Sequence, residues 1–301
     1  MSTLRAWLAA ARLRTLPLAA LGPATALVTL YTEIEHQPLF LLKACLVFAV
    51  ALLLQLLSNF ANDYGDFTKG TDNANRIGPE RALQKGSITP VQMLRAIWLT
   101  GMLALACGLV LLAFLWKQAP IGLWIFLLIV GLAAIWAAVA YTMGKKPYGY
   151  AGWGEVAVFV FFGLVSVLGT GFLFLSYLPN ELYFNAVALG SFSAAVLHMN
   201  NMRDVENDKV SGKFTLAAQL GWKGGRMFHV FWVSLGAFCW VMAASPILNL
   251  WPLLPGLALA MSQAAWVVQN KDRKKFDLGL RWMVAATMLT GLGYIWIYFS
   301  R

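Results

Sequence analysis

Apolar runs of bilayer-spanning length, separated mostly by short polar joins, recur along the chain and restrict its fold more than any other feature. A membrane-spanning helix needs roughly 20 predominantly apolar residues. Nine segments approach this length and leave no room for a separate soluble domain. They lie at 15–32, 39–61, 91–116, 120–142, 153–177, 182–202, 226–245, 250–269 and 281–299. The sequence therefore predicts an all-α, polytopic membrane protein with one domain, 1–301.

Charge is scarce and concentrated in particular loops. Only 12% of the residues are charged and 60% are hydrophobic, so the net charge of +10 does not indicate a nucleic-acid-binding surface. Lys and Arg concentrate at the N-terminus, in the long loops 63–90 and 203–226, and in alternate shorter loops. Because basic loops stay on the cytoplasmic side, we expect an inner-membrane protein with a cytoplasmic N-terminus and the C-terminus on the opposite side.

An acidic row closes the second predicted span. Asn59, Asp63 and Asp66 are spaced four and three residues apart, so a helix places them on one face, with Asn62 beside them. An Asp within a membrane span costs about 2.5–3.5 kcal/mol on the insertion scale, which makes such a cluster a functional candidate. The alternative is an ordinary solvated helix end in the headgroup region.

A second acidic row closes the sixth predicted span. Asn200, Asp204 and Asp208 follow one another at intervals of four residues. An Asn four residues before an Asp also occurs at Asn59 and Asp63, which suggests a weak internal repeat, although so short a match can arise by chance. Two matched rows favour a shared site over two solvated helix ends.

Carboxylate and amide oxygens are hard ligands, which suit Mg²⁺. Mg²⁺ usually takes one or two carboxylates and completes its shell with water and substrate phosphate oxygens. The candidate metal ligands are Asn59, Asn62, Asp63, Asp66, Asp204 and Asp208. The rows therefore predict an Mg²⁺ cofactor and a phosphate-bearing substrate.

Basic residues near both rows are candidates for holding that phosphate, since Arg and Lys bind phosphate oxygens. They are Lys69, Arg76, Arg81, Lys85, Lys145, Arg203 and Lys213. For each residue alone, the alternative is a role in membrane orientation or in lipid-headgroup binding.

Aromatic and polar residues around the fifth span supply candidates for a second substrate. Tyr141 and Tyr148 flank a Gly-rich turn, and their rings either stabilise a developing cation or form an interfacial aromatic belt. Glu155 near the start of the span and His198 one turn before the second row are polar groups at membrane depth. For each of them there are two alternatives: contact with a substrate, or a hydrogen bond within the helix bundle. Together with Asn200, these residues are candidates for binding an aromatic acceptor, while Tyr141 joins the four Asp residues as a catalytic candidate.

At these residues the chain resembles the UbiA-type intramembrane prenyltransferases, and among them the 1,4-dihydroxy-2-naphthoate polyprenyltransferases. The resemblance covers most of the chain. Its residues are Arg14-Thr15-Leu16-Pro17, Asn62-Asp63-Tyr-Gly-Asp66, Lys69-Gly70-Thr71-Asp72, Arg76-Ile-Gly-Pro79, Gln84-Lys85-Gly86, Lys146-Pro147-Tyr148-Gly149-Tyr150 with Gly154-Glu155, and Asn200-Asn201-Met-Arg203-Asp204 with Asp208 and Gly212-Lys213. One departure is Gly70, where many members carry an Asp; here the acid is at Asp72, whose role stays open.

The resemblance implies nine helices around a cavity that opens to the cytoplasm, with a lateral route for lipid substrates. It further implies that Mg²⁺ and both Asp motifs hold a polyprenyl diphosphate. The prenyl group then passes to 1,4-dihydroxy-2-naphthoate with loss of diphosphate and CO₂, giving a demethylmenaquinone precursor. Transfer to another aromatic acceptor such as 4-hydroxybenzoate is the alternative within this class. A cation-coupled transporter is the alternative outside it.

Overall fold

The computed structural model describes residues 3–13, 15–72, 81–116, 119–247 and 249–300, and within them it contains only helices, turns and loops. The all-α class is therefore confirmed for the described chain. The principal helices are α1 (Thr3–Ala11), α2 (Leu16–Thr29), α3 (Tyr31–Ile34), α4 (Phe40–Thr68), α5 (Pro90–Leu115), α6 (Ile121–Ala140), α7 (Gly154–Phe172), α8 (Asn180–Val210), α9 (Leu216–Ala244), α10 (Leu254–Gln269) and α11 (Phe276–Phe299).

Eight of the described helices, α4 to α11, are long and apolar enough to cross a membrane when the last three are taken with the 3-10 turns that adjoin them. The remaining predicted span corresponds to α2, whose 14 residues reach only about 21 Å. The helix ends at Thr29, three residues before the predicted end, and the chain continues after Leu30 as the short α3. The helix α1 was not predicted, since its nine residues are too few for a span.

The helix α8 lies at the centre of the bundle. It is the most buried of the candidate spans, and it packs against α2, α7, α9 and α11. Small residues allow these close approaches: a Cβ at Gly190 would lie 2.6 Å from the Phe159 carbonyl oxygen of α7. Because most of α8 is enclosed, its buried polar residues are shielded from bulk water, and leaving them unpaired is costly.

A large cavity lies beside α8. Its wall is formed by residues of α2, α4, α5, α6, α7, α8 and α11. The middle of α7, Phe159–Leu168, is a π-helix, and it contributes Phe161, Phe162 and Val165 to the wall. Wide π-turns are frequent at functional sites. The fold thus surrounds an apolar space with membrane helices, and its polar groups gather where α4 and α8 end.

Candidate active site

The cavity has a volume of about 1140 Å³. Most of its wall is apolar, contributed by Leu, Val, Ala and Phe side chains along the spans. Its polar wall brings together both acidic rows, with Asn59, Asn62, Asp63, Asp66, Asn200, Asp204 and Asp208 all lining it. The two rows, far apart in sequence, therefore face one shared space.

Both acidic helices end in the same hydrogen-bonded turn. After α4, Thr71 N–H donates to the Asp66 carbonyl oxygen at 2.9 Å, and Gly70 takes a φ of +73°. After α8, Lys213 N–H donates to the Asp208 carbonyl oxygen at 2.8 Å, and Gly212 takes a φ of +72°. These are Schellman motifs, in which the residue in left-handed conformation is usually Gly. The turn explains why Gly, rather than Asp, occupies position 70.

The first row is paired with bases. Asp63 is fully buried, and its Oδ1 accepts a hydrogen bond from Arg12 Nη2 at 2.6 Å, with Arg81 Nε 3.5 Å away. Asp66 Oδ1 accepts a hydrogen bond from the Tyr150 hydroxyl at 2.8 Å. Burial and then the Asp66 charge raise the pKa of Tyr150, so the phenol stays protonated and donates. The row is thus held by two cations and one neutral donor.

The amides of the first row have structural partners. Asn59 Nδ2 donates to the Ala11 carbonyl oxygen at 2.8 Å, and its Oδ1 accepts from Gln55 at 3.0 Å. Asn62 Oδ1 accepts from the Thr142 hydroxyl at 3.3 Å. Asn59 therefore fastens the end of α1 to α4, and its predicted role as a metal ligand requires these bonds to be exchanged.

The second row is also paired with bases. Both oxygens of Asp204 accept hydrogen bonds from Arg203, at 2.8 and 2.7 Å. The same guanidinium donates to Asp277 Oδ1 at 3.0 Å and to Asn200 Oδ1 at 2.8 Å. Arg203 thus joins α8 to the first turn of α11 and pairs with two acids.

Asp208 pairs with Lys213 across the turn that ends α8. Their Oδ1 and Nζ atoms are 3.6 Å apart, and both residues are buried. Burial lowers the pKa of Lys213, but the carboxylates of Asp66 and Asp208 raise it by more, so the net pKa lies above its ordinary value. In the same way, burial lowers the pKa of Arg12, but the carboxylates of Asp63, Asp66 and Asp72 together raise it by more. Both bases are therefore charged at neutral pH.

The predicted phosphate-binding residues separate into two groups. Arg81, Arg203 and Lys213 line the cavity. Lys69, Lys85 and Lys145 do not line it, and Lys69 instead donates to the Gly144 carbonyl oxygen at 3.1 Å. Arg76 lies outside the described residues.

The predicted acceptor-binding residues also separate. Tyr141, Tyr148 and Asn200 line the cavity, and the two Tyr rings pack edge to face with centroids 5.5 Å apart. Glu155 and His198 are fully buried but do not line it. They hydrogen-bond to each other at 2.8 Å, so any role they have in binding the acceptor acts through another residue.

Sequence reasoning missed several residues of this site. Arg12 belongs to the basic N-terminus, and Asp277 and Arg281 lie in or beside a predicted basic loop, yet all three line the cavity. The spacing of Asp277 and Arg281, which pair at 2.8 Å as an i, i+4 couple, was a usable signal. Arg12 offered none, because its partner Asp63 is 51 residues away.

The donor set fits a metal ion carried by a phosphate ligand. Among the described residues, no three His, Cys, Asp or Glu side chains form a ready-made metal site. Asp63 Oδ2 and Asp208 Oδ2 are nevertheless buried and lack a hydrogen-bond partner within the described chain. Mg²⁺ requires only one or two such carboxylates when phosphate oxygens and water complete its shell.

Comparison with known proteins identifies the family. A model of the UbiA prenyltransferase family matches residues 20–290. The chain belongs to this family. The match covers the spans that form the cavity, and it confirms the resemblance inferred from the two Asp motifs.

Two curated relatives extend the comparison, each named 1,4-dihydroxy-2-naphthoate octaprenyltransferase. The Escherichia coli K12 protein is 36% identical over 300 residues, covering 98% of this chain and 95% of its own. The Haemophilus influenzae protein is 39% identical over 241 residues, covering 80% of this chain and 77% of its own. The likeness to these UbiA-family members thus extends well beyond the motifs.

A solved structure shares the fold. It is that of a UbiA homolog from Archaeoglobus fulgidus bound to DMAPP and Mg²⁺, and it matches with a TM-score of 0.64. The match covers 96% of this chain and 99% of that chain at 15% identity. The UbiA-like architecture is therefore confirmed.

Proposed function

We propose that this UbiA-family chain transfers a polyprenyl group from a polyprenyl diphosphate to 1,4-dihydroxy-2-naphthoate, releasing diphosphate and CO₂. One observation carries the proposal: acids of α4 and α8, each paired with a base, line one apolar cavity. A prenyl diphosphate has the same division between a charged head and a long apolar tail. The naphthoate acceptor is supported by the names of the two relatives.

In this proposal the acids of the site bind the metal, and the bases bind the diphosphate of the prenyl donor. Asp63 and Asp208, each with a buried oxygen that has no partner among the described residues, would hold Mg²⁺, together with Asp66. Arg12 and Lys213, released from these carboxylates, would bind the diphosphate oxygens. Mg²⁺, when bound, supplies Lewis-acid stabilisation of the charge that develops on the leaving diphosphate.

The proposed transfer breaks one carbon–oxygen bond, forms one carbon–carbon bond and then breaks the bond to the carboxylate. The allylic carbon–oxygen bond breaks and its electron pair leaves with the diphosphate. The ring carbon that bears the carboxylate attacks the allylic cation and forms the new carbon–carbon bond. The carboxylate then leaves as CO₂, and the pair from that bond returns to the ring. Tyr141 and Tyr148 line the cavity, where their rings would stabilise the cation, and the apolar wall would exclude water.

The same proposal includes location and organisation. The chain is a multi-pass membrane protein of the UbiA family. We propose that it forms one domain in the bacterial inner membrane, with its N-terminus and the acidic end of the cavity on the cytoplasmic side. The concentration of Lys and Arg in the loops at this end supports that orientation.

The test uses the full chain reconstituted in nanodiscs with a labelled polyprenyl diphosphate. The acceptors are 1,4-dihydroxy-2-naphthoate and 4-hydroxybenzoate, each assayed with Mg²⁺ and with excess EDTA. We expect labelled prenylated product and CO₂ from the naphthoate, and no product after chelation.

Product from the benzoate alone would contradict the acceptor and retain the class of reaction. Product that persists after EDTA would contradict the metal requirement. Absence of product with either acceptor would contradict the proposed function.

A further inference from the structure

Three buried polar side chains form a cluster behind the cavity wall that the proposed reaction does not use. Glu155 Oε1 is 2.8 Å from His198 Nδ1 and accepts a hydrogen bond from Asn201 Nδ2 at 3.0 Å. Glu155 and His198 are 0% exposed and Asn201 is 1% exposed. Only Asn201 lines the cavity. Buried polar groups are costly unless they are paired, so a cluster at this depth requires an explanation.

The protons of the cluster can be assigned from its partners. His198 Nε2 lies 2.9 Å from the Gly225 carbonyl oxygen, which can only accept, so Nε2 carries a hydrogen. His198 Nδ1 and Glu155 Oε1 then share one further proton. Whichever atom holds it, the His198–Glu155 pair is neutral as a whole, and it can stay buried without an outside counter-ion.

This pair fixes the orientation of the Asn201 amide. Because Glu155 Oε1 is held by His198, it presents an acceptor to Asn201, and the amide nitrogen turns towards it. The amide oxygen must then point the other way. Asn201 Oδ1 is buried and has no hydrogen-bond partner within the described chain. An unpartnered acceptor on a residue that lines a substrate cavity is a binding group awaiting a donor.

We propose that Asn201 Oδ1 accepts a hydrogen bond from a ring hydroxyl of the aromatic acceptor, and that Glu155 and His198 position the amide. This inference rests on the proposed function. Glu155 and His198 are positioning residues here, because neither lines the cavity.

The place of Asn201 on α8 suits this role. Asn201, Asp204 and Asp208 are spaced three and four residues apart, so they share one face of the helix. Asn201 lies seven residues before Asp208, which corresponds to about 10 Å along the axis. A ring bound at Asn201 would therefore lie deeper in the cavity than the diphosphate, on the same wall.

The test measures steady-state kinetics of the reconstituted chain with each substrate varied in turn. Asn201→Ala should raise the KM for the naphthoate about tenfold, with kcat and the KM for the prenyl diphosphate little changed. Glu155→Ala should have a similar effect, and the double variant should be no worse than Asn201→Ala alone, because both act through one hydrogen bond. Glu155→Gln keeps an acceptor oxygen for Asn201 but cannot hold a proton between that oxygen and His198 Nδ1, so it should restore only part of the loss.

Asn185→Ala is the matched control. Asn185 is another fully buried Asn of α8 whose amide lacks a partner in the described chain, and it does not line the cavity. Its replacement should leave both KM values unchanged. An unchanged naphthoate KM in Asn201→Ala, or an equal rise for both substrates, would overturn the inference while the proposed function stands. Failure of the unaltered chain to use the naphthoate would overturn both.

Discussion

Removal of Arg12 should destabilise the protein by leaving a charge buried inside it. Asp63 is 0% exposed, and Arg12 Nη2 donates to its Oδ1 at 2.6 Å. In Arg12→Ala the nearest remaining cationic side chain among the described residues is Arg81, whose Nε is 3.5 Å from the same oxygen. The carboxylate would then lack its shortest charge-assisted hydrogen bond in a place that bulk water does not reach.

The expected loss follows from the burial of the two partners. Removing one member of a buried ion pair costs about 3–5 kcal/mol, because the other charge is left without compensation. The Arg12 side chain is 21% exposed and Arg81 is close, so the lower end of this range applies, about 3 kcal/mol. Replacing Asp63 as well, as Asn, removes the orphaned charge, and the double variant should recover part of the loss.

The measurement is the free energy of unfolding in mixed micelles, obtained from denaturant titration followed by tryptophan fluorescence. Arg281→Ala is the control, since Arg281 also lines the cavity and pairs with an acid, Asp277, at 2.8 Å. Its side chain is 61% exposed and that of Asp277 is 33% exposed, so this pair should contribute at most about 1 kcal/mol. Equal losses in the two variants would refute the reasoning, as would a double variant less stable than Arg12→Ala.

Four other outcomes are expected. Asp208→Asn should raise the Mg²⁺ concentration for half-maximal activity at least about tenfold, whereas the exposed Asp272→Asn should not. The pKa of Lys213 is raised above its ordinary 10.5, so its stabilisation is complete below that pH and lost only as pH rises through the folded pKa. Lys213→Met should thus lower unfolding free energy equally at about pH 7 and about pH 9. A Cβ at Gly131 meets no neighbouring atom, and Gly131 lines the cavity, so Gly131→Leu should reduce turnover of a long prenyl diphosphate more than turnover of dimethylallyl diphosphate. Gly122 does not line the cavity, so Gly122→Leu should leave both turnover rates unchanged. Mg²⁺ and inorganic diphosphate together should raise the unfolding temperature by more than the sum of their separate effects.

The parts of the site that sequence could predict are those fixed by local periodicity. Asn59, Asp63 and Asp66 share a face because a helix repeats every three to four residues, and the same holds for Asn200, Asp204 and Asp208. The ends of the two helices carry a further sequence signal. Gly70 and Gly212 each follow the last Asp by four residues, and each takes the left-handed conformation that stops its helix. The two rows thus resemble each other in their endings as well as in their acids.

The parts that sequence could not predict depend on contacts between distant segments. Arg12 reaches Asp63 from a short helix that lacks the length of a span. Glu155 and His198 were expected near a substrate because polar residues at membrane depth are unusual. Periodicity gives the face of a helix but not what covers that face, and here each of them is covered by the other. Asn201 was not among the predicted site residues because its neighbour Asn200 is the residue that continues the four-residue spacing of Asp204 and Asp208.

The pairing of acids with bases also explains how so many charges remain stable beside an apolar cavity. An isolated carboxylate or ammonium in this setting would cost several kcal/mol. Asp63 with Arg12, Asp204 with Arg203, and Asp208 with Lys213 avoid that cost by neutralising one another. A metal cation alone would displace the bases without compensating them, and a diphosphate alone would do the same to the acids. When both are present, the metal compensates the acids and the diphosphate compensates the bases. The site therefore favours the metal–diphosphate complex over either component.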